Sequence, residues 1–465
     1  MAFNPLREKG IPIDKQFKNW VDLNSKPYDK ETVHPYTRTR GILMNGIEVE
    51  AMIFKRQFAR NTSDMDLRRH LALTRRVEQE QQKAINWMIP GDESNLEVTL
   101  GYEQVAVDLT AFLARNEHDP YVKQALDFAL LEDFDHLYRY ANLMKLTEGK
   151  EPSSVTKQYT EITVGRPTAL EHRHPFDDVR DFTDFTTADP ATKMHILTIV
   201  AAEQQTMNFY MNVCGTYQND RGRKLYQEIG MIEEQHVSHY GSLMDPACTW
   251  LENLLMHQYI ECYLYYSCME TESCPKTKQV WQWLYDQETI HLAATVRLLQ
   301  KEEKKDYQQV VGKGDFPPPI CLCSNIDYVR QVLGSTVQQA TCRESYASVD
   351  NLEKDADFFR YQGRVNADAA CVPSHMVIKD HIGQFTRDYR WETAPNPIQQ
   401  LRDVRVDNID VGRVPGGVQP PPPPTMMGMG AFPAGHPLYA WCTGSKGTTA
   451  GLTLTRSADV ILAVG

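Results

Sequence analysis

Two stretches of the sequence repeat one arrangement of carboxylates and imidazoles at an offset of one hundred residues. In each, an acid is followed thirty residues later by a unit that reads acid-x-x-His, where x is any residue. Residues three apart on a helix lie on nearly the same face, so the acid and the histidine of each unit would project together. Carboxylate oxygens and imidazole nitrogens are metal ligands. The repeat predicts a metal site formed by Glu103, Asp133, His136, Glu203, Glu233 and His236.

The neighbours of these residues are apolar, which predicts that the site lies on buried helix faces. Glu203 lies about one turn from Ile199, Val200 and Met207, and apolar residues flank the other acids in the same way. A carboxylate in a low-dielectric interior costs several kcal/mol unless something compensates its charge. Most basic residues of these segments lie toward the predicted helix ends. A pair of divalent cations would remove the cost, so the pattern favours a dinuclear site.

Some residues near the repeat have other interpretations. A single acid-x-x-His unit is more typical of a solvated helix face or an intrahelical polar pair, and only the repetition favours metal. Asp133 has a shorter side chain than glutamate, and Glu132, one turn before the histidine of its unit, is an alternative ligand. Glu78 lies among arginines, and His172 and His174 lie between the two repeats. All three are expected to be solvated.

The elements that position the site follow from the 3.6-residue apolar period, which dominates from about residue 64 to residue 300. Turn-forming residues divide this region into helices. Asp119-Pro120, Asp189-Pro190 and Asp245-Pro246 each place an N-cap acceptor before a proline suited to the first helical position. The seven predicted helices cover 64–89, 95–115, 120–147, 191–217, 223–243, 246–271 and 276–301.

Outside the helical region the pattern is weaker. Residues 1–62 contain turn-forming dipeptides and predict an irregular N-terminal arm. Residues 306–400 predict a smaller, mostly helical or irregular region. Two helices are expected within it, near 326–339 and 374–387. Residues 401–465 are rich in proline and glycine, include five consecutive prolines, and predict an extended or poorly ordered tail.

Composition and charge exclude several classes of function. The 465 residues carry a net charge of −12 without a sustained Lys/Arg run, which argues against nucleic-acid and anionic-membrane partners. No window approaches the roughly 18 apolar residues of a bilayer span, and the N-terminus lacks an apolar signal region. The ten cysteines have no paired CxxC spacing, so neither a disulfide framework nor a zinc ribbon is expected. These features favour a cytoplasmic protein with no membrane association.

The order of the candidate ligands resembles the carboxylate-bridged di-iron proteins of the ferritin-like superfamily. In that family a Glu from each of two helices and a Glu-x-x-His unit from each of two others bind two metals. The resemblance covers about 150 of the 465 residues and departs from the family at Asp133. It implies an all-α fold, a four-helix bundle within residues 63–305 with a long crossover between two hairpins. The interval of roughly 45 residues between 147 and 192 would supply that crossover.

A second placement of ligands stays open. Glu261 lies in the sixth predicted helix, and the seventh carries Glu288 and His291 in another acid-x-x-His unit. Topology favours the first placement, because the Asp245-Pro246 link is too short for a crossover. Predicted helices five and six would then run antiparallel as immediate neighbours. Helices six and seven would form a hairpin added to the bundle.

The resemblance implies a di-iron oxidoreductase, either an oxygenase or an oxidase. Two Fe ions, with Mn as the alternative, would be held by oxygen and nitrogen donors and would react with O2 or peroxide. Because the sequence has no paired-cysteine iron site of the rubrerythrin type, electrons would come from an external reductase. Two alternatives stay open: a manganese catalase-like or peroxidase activity, and a non-catalytic helical scaffold. The added helices could also form the interface of a homo-oligomer.

Overall fold

Helices dominate the fold. The computed structural model describes residues 3–402, and this part of the chain is all-α, with one short β-hairpin. Its α-helices are α1 (Pro35–Arg60), α2 (Met65–Asn86), α3 (Asn95–Asn116), α4 (Pro120–Glu148), α5 (Ser153–Thr156), α6 (Thr168–Glu171), α7 (Pro190–Thr216), α8 (Asp220–Gly241), α9 (Trp250–Thr271), α10 (Pro275–Glu302), α11 (Gln308–Val311), α12 (Ile326–Thr336), α13 (Asp357–Val365) and α14 (Pro373–Phe385). The hairpin pairs β1 (Gln339–Cys342) with β2 (Ser345–Ser348) in antiparallel register. None of the described helices is long and apolar enough to cross a membrane.

Four of these helices, α3, α4, α7 and α8, form a closed set that we call the first bundle. α3 packs on α4, α4 on α8, α8 on α7, and α7 on α3. Their apolar faces belong to one large core, which includes Leu109, Leu137, Ile199 and Ile229. The connection from α4 to α7 is long, as the sequence predicts, and covers residues 149–189. The prediction of an all-α bundle is therefore confirmed.

Side-chain caps fix where the helices of the first bundle begin. Ser94 and Glu97 form a capping box at α3, and the Asp119 carboxylate accepts two backbone hydrogen bonds at α4. Asp189 caps α7, and Asn219 caps α8. The predicted starts at the two Asp-Pro pairs are confirmed. These caps set the register in which the mid-helix acids of neighbouring helices meet.

The long connection is bound closely to α4. Asp135 accepts hydrogen bonds from the backbone N–H of Gly165 (3.1 Å) and of Thr168 (2.9 Å). It also accepts one from the Thr168 hydroxyl (2.6 Å). A Cβ atom on Gly165 would lie 2.8 Å from the carbonyl oxygen of Leu131, so this approach requires glycine. The connection therefore lies against the helix that carries an acid-x-x-His unit.

The prediction of an irregular arm over residues 1–62 is wrong where α1 forms. α1 covers Pro35–Arg60 and starts with a proline after the capping residue His34. Most of its residues are buried, on several faces, so it lacks the single apolar stripe that identifies a surface helix. The Asn45-Gly46 pair is helical rather than a turn, because Gly46 lets α1 approach Gln205 of α7. Tertiary packing overrides the local turn signal.

α1, α2, α9 and α10 form a second bundle. α1 packs on α2 and α9, α9 packs on α10, and Gln81 of α2 donates a hydrogen bond to Glu288 of α10 (2.8 Å). α1 also packs on α3 and α7, which joins the two bundles. The prediction that helices five and six are immediate neighbours is wrong, because α9 lies against α1, α7 and α10 rather than along α8. α9 begins at Trp250, behind a capping box of Thr249 and Glu252, and not at residue 246.

The region after α10 covers the first bundle. α12 packs Val329 and Leu333 against α4, and α14 packs on α4 and α8. The two helices predicted in this region are confirmed, with ends at Thr336 and Phe385. The predicted tail over 401–465 lies outside the described residues from 403 onward.

Gly165→Ala should destabilise the protein, because its Cβ would meet backbone atoms of α4 that cannot move aside. We expect a loss of about 1–3 kcal/mol in the free energy of unfolding, measured by chemical denaturation. Gly41→Ala is the matched control, since outside the local backbone of α1 no described atom lies within 4 Å of its added Cβ, and alanine favours a helix interior by about 1 kcal/mol. Equal stabilities of the two variants would contradict the close approach.

Candidate metal centre

Each helix of the first bundle contributes at least one buried side chain to a common cluster. α3 contributes Glu103, α7 contributes Glu203, and the acid-x-x-His units of α4 and α8 contribute the rest. All six side chains are at most 1% exposed. The cluster consists of Glu103, Asp133, His136, Glu203, Glu233 and His236.

The donor atoms fall into two overlapping groups. One contains Glu103, Asp133, His136 and Glu233, and the other contains Asp133, Glu203, Glu233 and His236. Within each group the donor atoms lie within 4.8 Å of one another. Asp133 and Glu233 belong to both groups, and the two imidazole centroids are 5.9 Å apart. Each group could hold a metal ion, and the two groups have two carboxylates in common.

Several donor atoms in the cluster have no hydrogen-bond partner among the described residues. These atoms are both oxygens of Asp133, both oxygens of Glu203, one oxygen each of Glu103 and Glu233, and His236 Nδ1. His236 Nδ1 lies 3.3 Å from Asp133 and 3.4 Å from Glu233 without hydrogen-bond geometry. Buried polar atoms are nearly always satisfied in native proteins. Unpartnered lone pairs gathered in a dry interior are the donors that a bound cation could satisfy.

In each histidine of the cluster, the Nε2 atom lies within hydrogen-bonding distance of a carboxylate outside the cluster. His136 Nε2 lies 2.8 Å from Glu171, and His236 Nε2 lies 2.7 Å from Glu132. If Nε2–H donates to this carboxylate, the Nδ1 lone pair of each ring faces the cluster. Metal-binding histidines are commonly oriented by such a second hydrogen bond.

The carboxylates around the cluster are themselves fixed by hydrogen bonds. The buried Arg173 donates to Glu132 at 2.8 Å and to Asp178 at 2.7 Å, and Arg166 approaches Glu132 at 3.4 Å. The Tyr210 hydroxyl donates to Glu103 at 2.5 Å. The Glu132 carboxylate therefore contacts Arg173 and His236 Nε2. It does not belong to either donor group.

Burial and neighbouring charges shift the pKa values of this cluster. Burial raises the pKa of Glu203, and the Asp133 carboxylate raises it further. Burial alone would lower the pKa of His136, but the Glu171 carboxylate raises it well above its ordinary value. Burial would also lower the pKa of His236, but the Asp133 carboxylate raises it well above its ordinary value. Without a metal the cluster holds protons that a bound cation would displace.

The structure separates the other candidates from this cluster. Glu261, Glu288 and His291 lie in the second bundle, in a cluster of their own with Glu78. Glu78 is fully buried, so its expected exposure is wrong, because its side chain faces α10 while Arg76 on the same helix faces solvent. His172 is also buried, which contradicts its expected solvation.

Sequence reasoning missed the residues that support the cluster from outside. Glu171, Arg166 and Arg173 lie in the connection between α4 and α7, where no helical period points to burial. The only signal is a run of charged residues around Glu171 in an otherwise mixed segment. Tyr210 lies on α7 two turns beyond Glu203, a spacing that places both residues on one face.

Stability of the metal-free protein should fall as the pH rises. Because the folded-state pKa values of His136 and His236 are raised, the stability from their protonation is complete below about pH 6.5 and is lost as the pH passes those values. Mn(II) needs the deprotonated rings, so the stabilisation it gives should grow over the same range. Calorimetry at about pH 6 and pH 8 measures both effects. An equal increase in Tm from Mn(II) at the two pH values would contradict proton displacement.

Glu171→Ala should weaken metal binding without changing the number of ions bound, because His136 would lose the acceptor for its Nε2–H. We expect a 10- to 100-fold loss of affinity, the usual effect of removing such a partner. The control is Glu171→Gln, which keeps an acceptor oxygen and should lose less. Titration with Mn(II), followed by calorimetry, measures the affinities. Unchanged affinity in both variants would show that Glu171 does not position the ring.

Comparison of the chain with protein-family models, with curated proteins and with solved structures gave no match. The interpretation of the cluster therefore depends on its geometry. Buried Glu, Asp and His side chains in this arrangement could hold a metal ion.

Proposed function

We propose that this protein is a ferritin-like, dinuclear metal oxidoreductase that reacts with O2 or peroxide and oxidises a second substrate. The observation that carries the proposal is the pair of overlapping donor groups, which share Asp133 and Glu233 in a fully buried position. A single cation would leave one imidazole and one terminal carboxylate without a partner. Two cations use every donor of the cluster.

The donor types favour iron or manganese. Carboxylate and imidazole ligands are typical of redox-active first-row metals, and the cluster contains no thiolate. Four carboxylates can balance the charge of two divalent ions. We therefore propose two Fe ions as the cofactor, with Mn as the alternative.

Two Fe(II) ions bound together can deliver two electrons to one O2 molecule. The contribution of the chain would be to hold the ions close together, since Asp133 and Glu233 belong to both donor groups. The hydrogen bonds from Glu132 and Glu171 orient the two imidazoles, and burial excludes bulk water. Further turnover needs electrons from outside, which we assign to a separate reductase.

A small cavity beside Glu203 supports a small oxidant. It has a volume of about 10 Å³ and is lined by Ile42 and Gly46 of α1, Tyr102 and Ala106 of α3, and Glu203. A volume of this size accommodates about one water-sized molecule. The cavity lies where α1 contacts the first bundle, and Glu203 of the cluster is among its lining residues. A cavity of this size excludes a bulky organic molecule and leaves room only for a very small one.

Glu233→Gln should abolish binding of both metals, because Glu233 belongs to both donor groups. The matched control is Glu234→Gln, the neighbouring residue on α8, whose side chain is exposed. We expect the native chain and the control to bind two Fe(II) per chain anaerobically and to consume one O2 per two Fe(II) oxidised. The variant should do neither. Elemental analysis and an oxygen electrode measure these quantities.

The same experiment separates the alternative functions. Equal metal content in Glu233→Gln and Glu234→Gln would contradict the site. Binding of two metals without O2 consumption, but with rapid disproportionation of hydrogen peroxide by the Mn-loaded protein, would identify a catalase-like activity. A native chain that binds no metal after anaerobic loading would identify the cluster as part of a helical scaffold.

A further inference from the structure

The second bundle contains a buried cluster whose acids and histidine lie on four helices, as those of the first cluster do. Glu48 of α1 is followed thirty residues later by Glu78 of α2, the spacing also found in both repeats of the first bundle. α9 contributes Glu261, and α10 contributes Glu288 and His291 in an acid-x-x-His unit. All five side chains are at most 1% exposed. The second cluster is therefore built on the same plan as the first.

His291 is oriented as a metal-binding histidine would be. Its Nε2 lies 2.8 Å from the side-chain oxygen of Gln16. The amide nitrogen of Gln16 donates to two backbone carbonyls, those of Ile11 (2.6 Å) and Gln287 (3.1 Å), and this fixes which end of the amide faces His291. His291 Nε2 must therefore carry a hydrogen. Its Nδ1 faces Glu288 at 2.9 Å.

Two residues of the second cluster depart from the plan. Gln81 stands three residues after Glu78, where the other units have histidine, and its amide nitrogen donates to Glu288 at 2.8 Å. An amide N–H donor cannot bind a metal through that atom. Lys55 of α1 is fully buried, and its ammonium group forms an ion pair with Glu78. In the first cluster the positive groups that act on the carboxylates are instead the imidazoles of His136 and His236.

Every carboxylate of the second cluster accepts a hydrogen bond or ion pair from a side chain of the protein. Tyr265 donates to Glu48, Lys55 pairs with Glu78, and Gln258 donates to Glu261. Glu288 accepts from both Gln81 and Gln258. Glu48, Glu78 and Glu261 each keep one oxygen without a partner among the described residues, whereas in the first cluster both oxygens of Asp133 and of Glu203 have none. The two clusters thus compensate their buried charge in different ways.

We propose that the second cluster is a metal site whose cations have been replaced by side chains of the chain itself. The ammonium group of Lys55 takes the place of a bound cation between the carboxylates, and Gln81 takes the place of a histidine ligand. The native second bundle therefore binds no divalent metal, and its four helices are held together by an ion pair and amide hydrogen bonds. Metal binds in the first bundle alone.

The experiment restores the missing ligand and removes the lysine in a chain whose first cluster is disabled. Lys55→Met with Gln81→His is placed in the Glu233→Gln background, and Mn(II) binding is measured by equilibrium dialysis and elemental analysis. We expect the Glu233→Gln protein to bind no Mn(II), and the triple variant to bind one to two per chain. Circular dichroism verifies that the variant is folded. A folded triple variant that binds no Mn(II) would overturn the proposal.

A second measurement decides the question if the triple variant does not fold. His291→Ala, in an otherwise native chain, should leave the metal content unchanged, because His291 binds no metal in the native protein. A lower metal content in folded His291→Ala would show that the native second cluster holds metal, and would overturn the proposal. Both experiments measure metal content and not O2 consumption. They therefore give the same result whether or not the first bundle reacts with O2.

Discussion

The structure depends on compensating the free-energy cost of ionised carboxylates that are buried between helices. Burying one ionised carboxylate without compensation costs several kcal/mol, and each bundle buries four in one cluster. Such clusters are compatible with a stable fold only if positive charge or protons accompany them. In the first bundle the positive groups that act on the four carboxylates are His136 and His236, and in the second Lys55 forms an ion pair with Glu78. The two bundles therefore compensate their buried carboxylates with different side chains.

The sequence predicted the parts of this arrangement that repeat. The six residues of the first cluster lie together because helical period, apolar neighbours and a constant interval all depend on the same helix geometry. The prediction failed for α1, since a helix buried on several faces has no stripe to detect. It also failed for Glu78, whose neighbours in sequence are arginines although its neighbours in space are not. Contacts between residues far apart in the chain, such as Arg173 with Glu132, leave no periodic signal.

The connection between α4 and α7 links the fold to the chemistry of the first cluster. It is held against α4 by Asp135 and Gly165, it places Glu171 beside His136, and it places Arg173 beside Glu132, the carboxylate that contacts His236. The connection therefore does more than join two helices. It orients His136 directly and His236 through Glu132.

The position of α1 has a consequence for how the chain can be divided. α1 is one of the four helices of the second bundle and also packs on α3 and α7. Gly46 permits its close contact with α7, and Gly101 permits its close contact with α3. Cutting the chain between α2 and α3 would therefore strip an apolar surface from the remaining half and open the small cavity beside Glu203 to solvent. Because α1 packs on helices of both bundles, we expect the two bundles to unfold together rather than as separate modules.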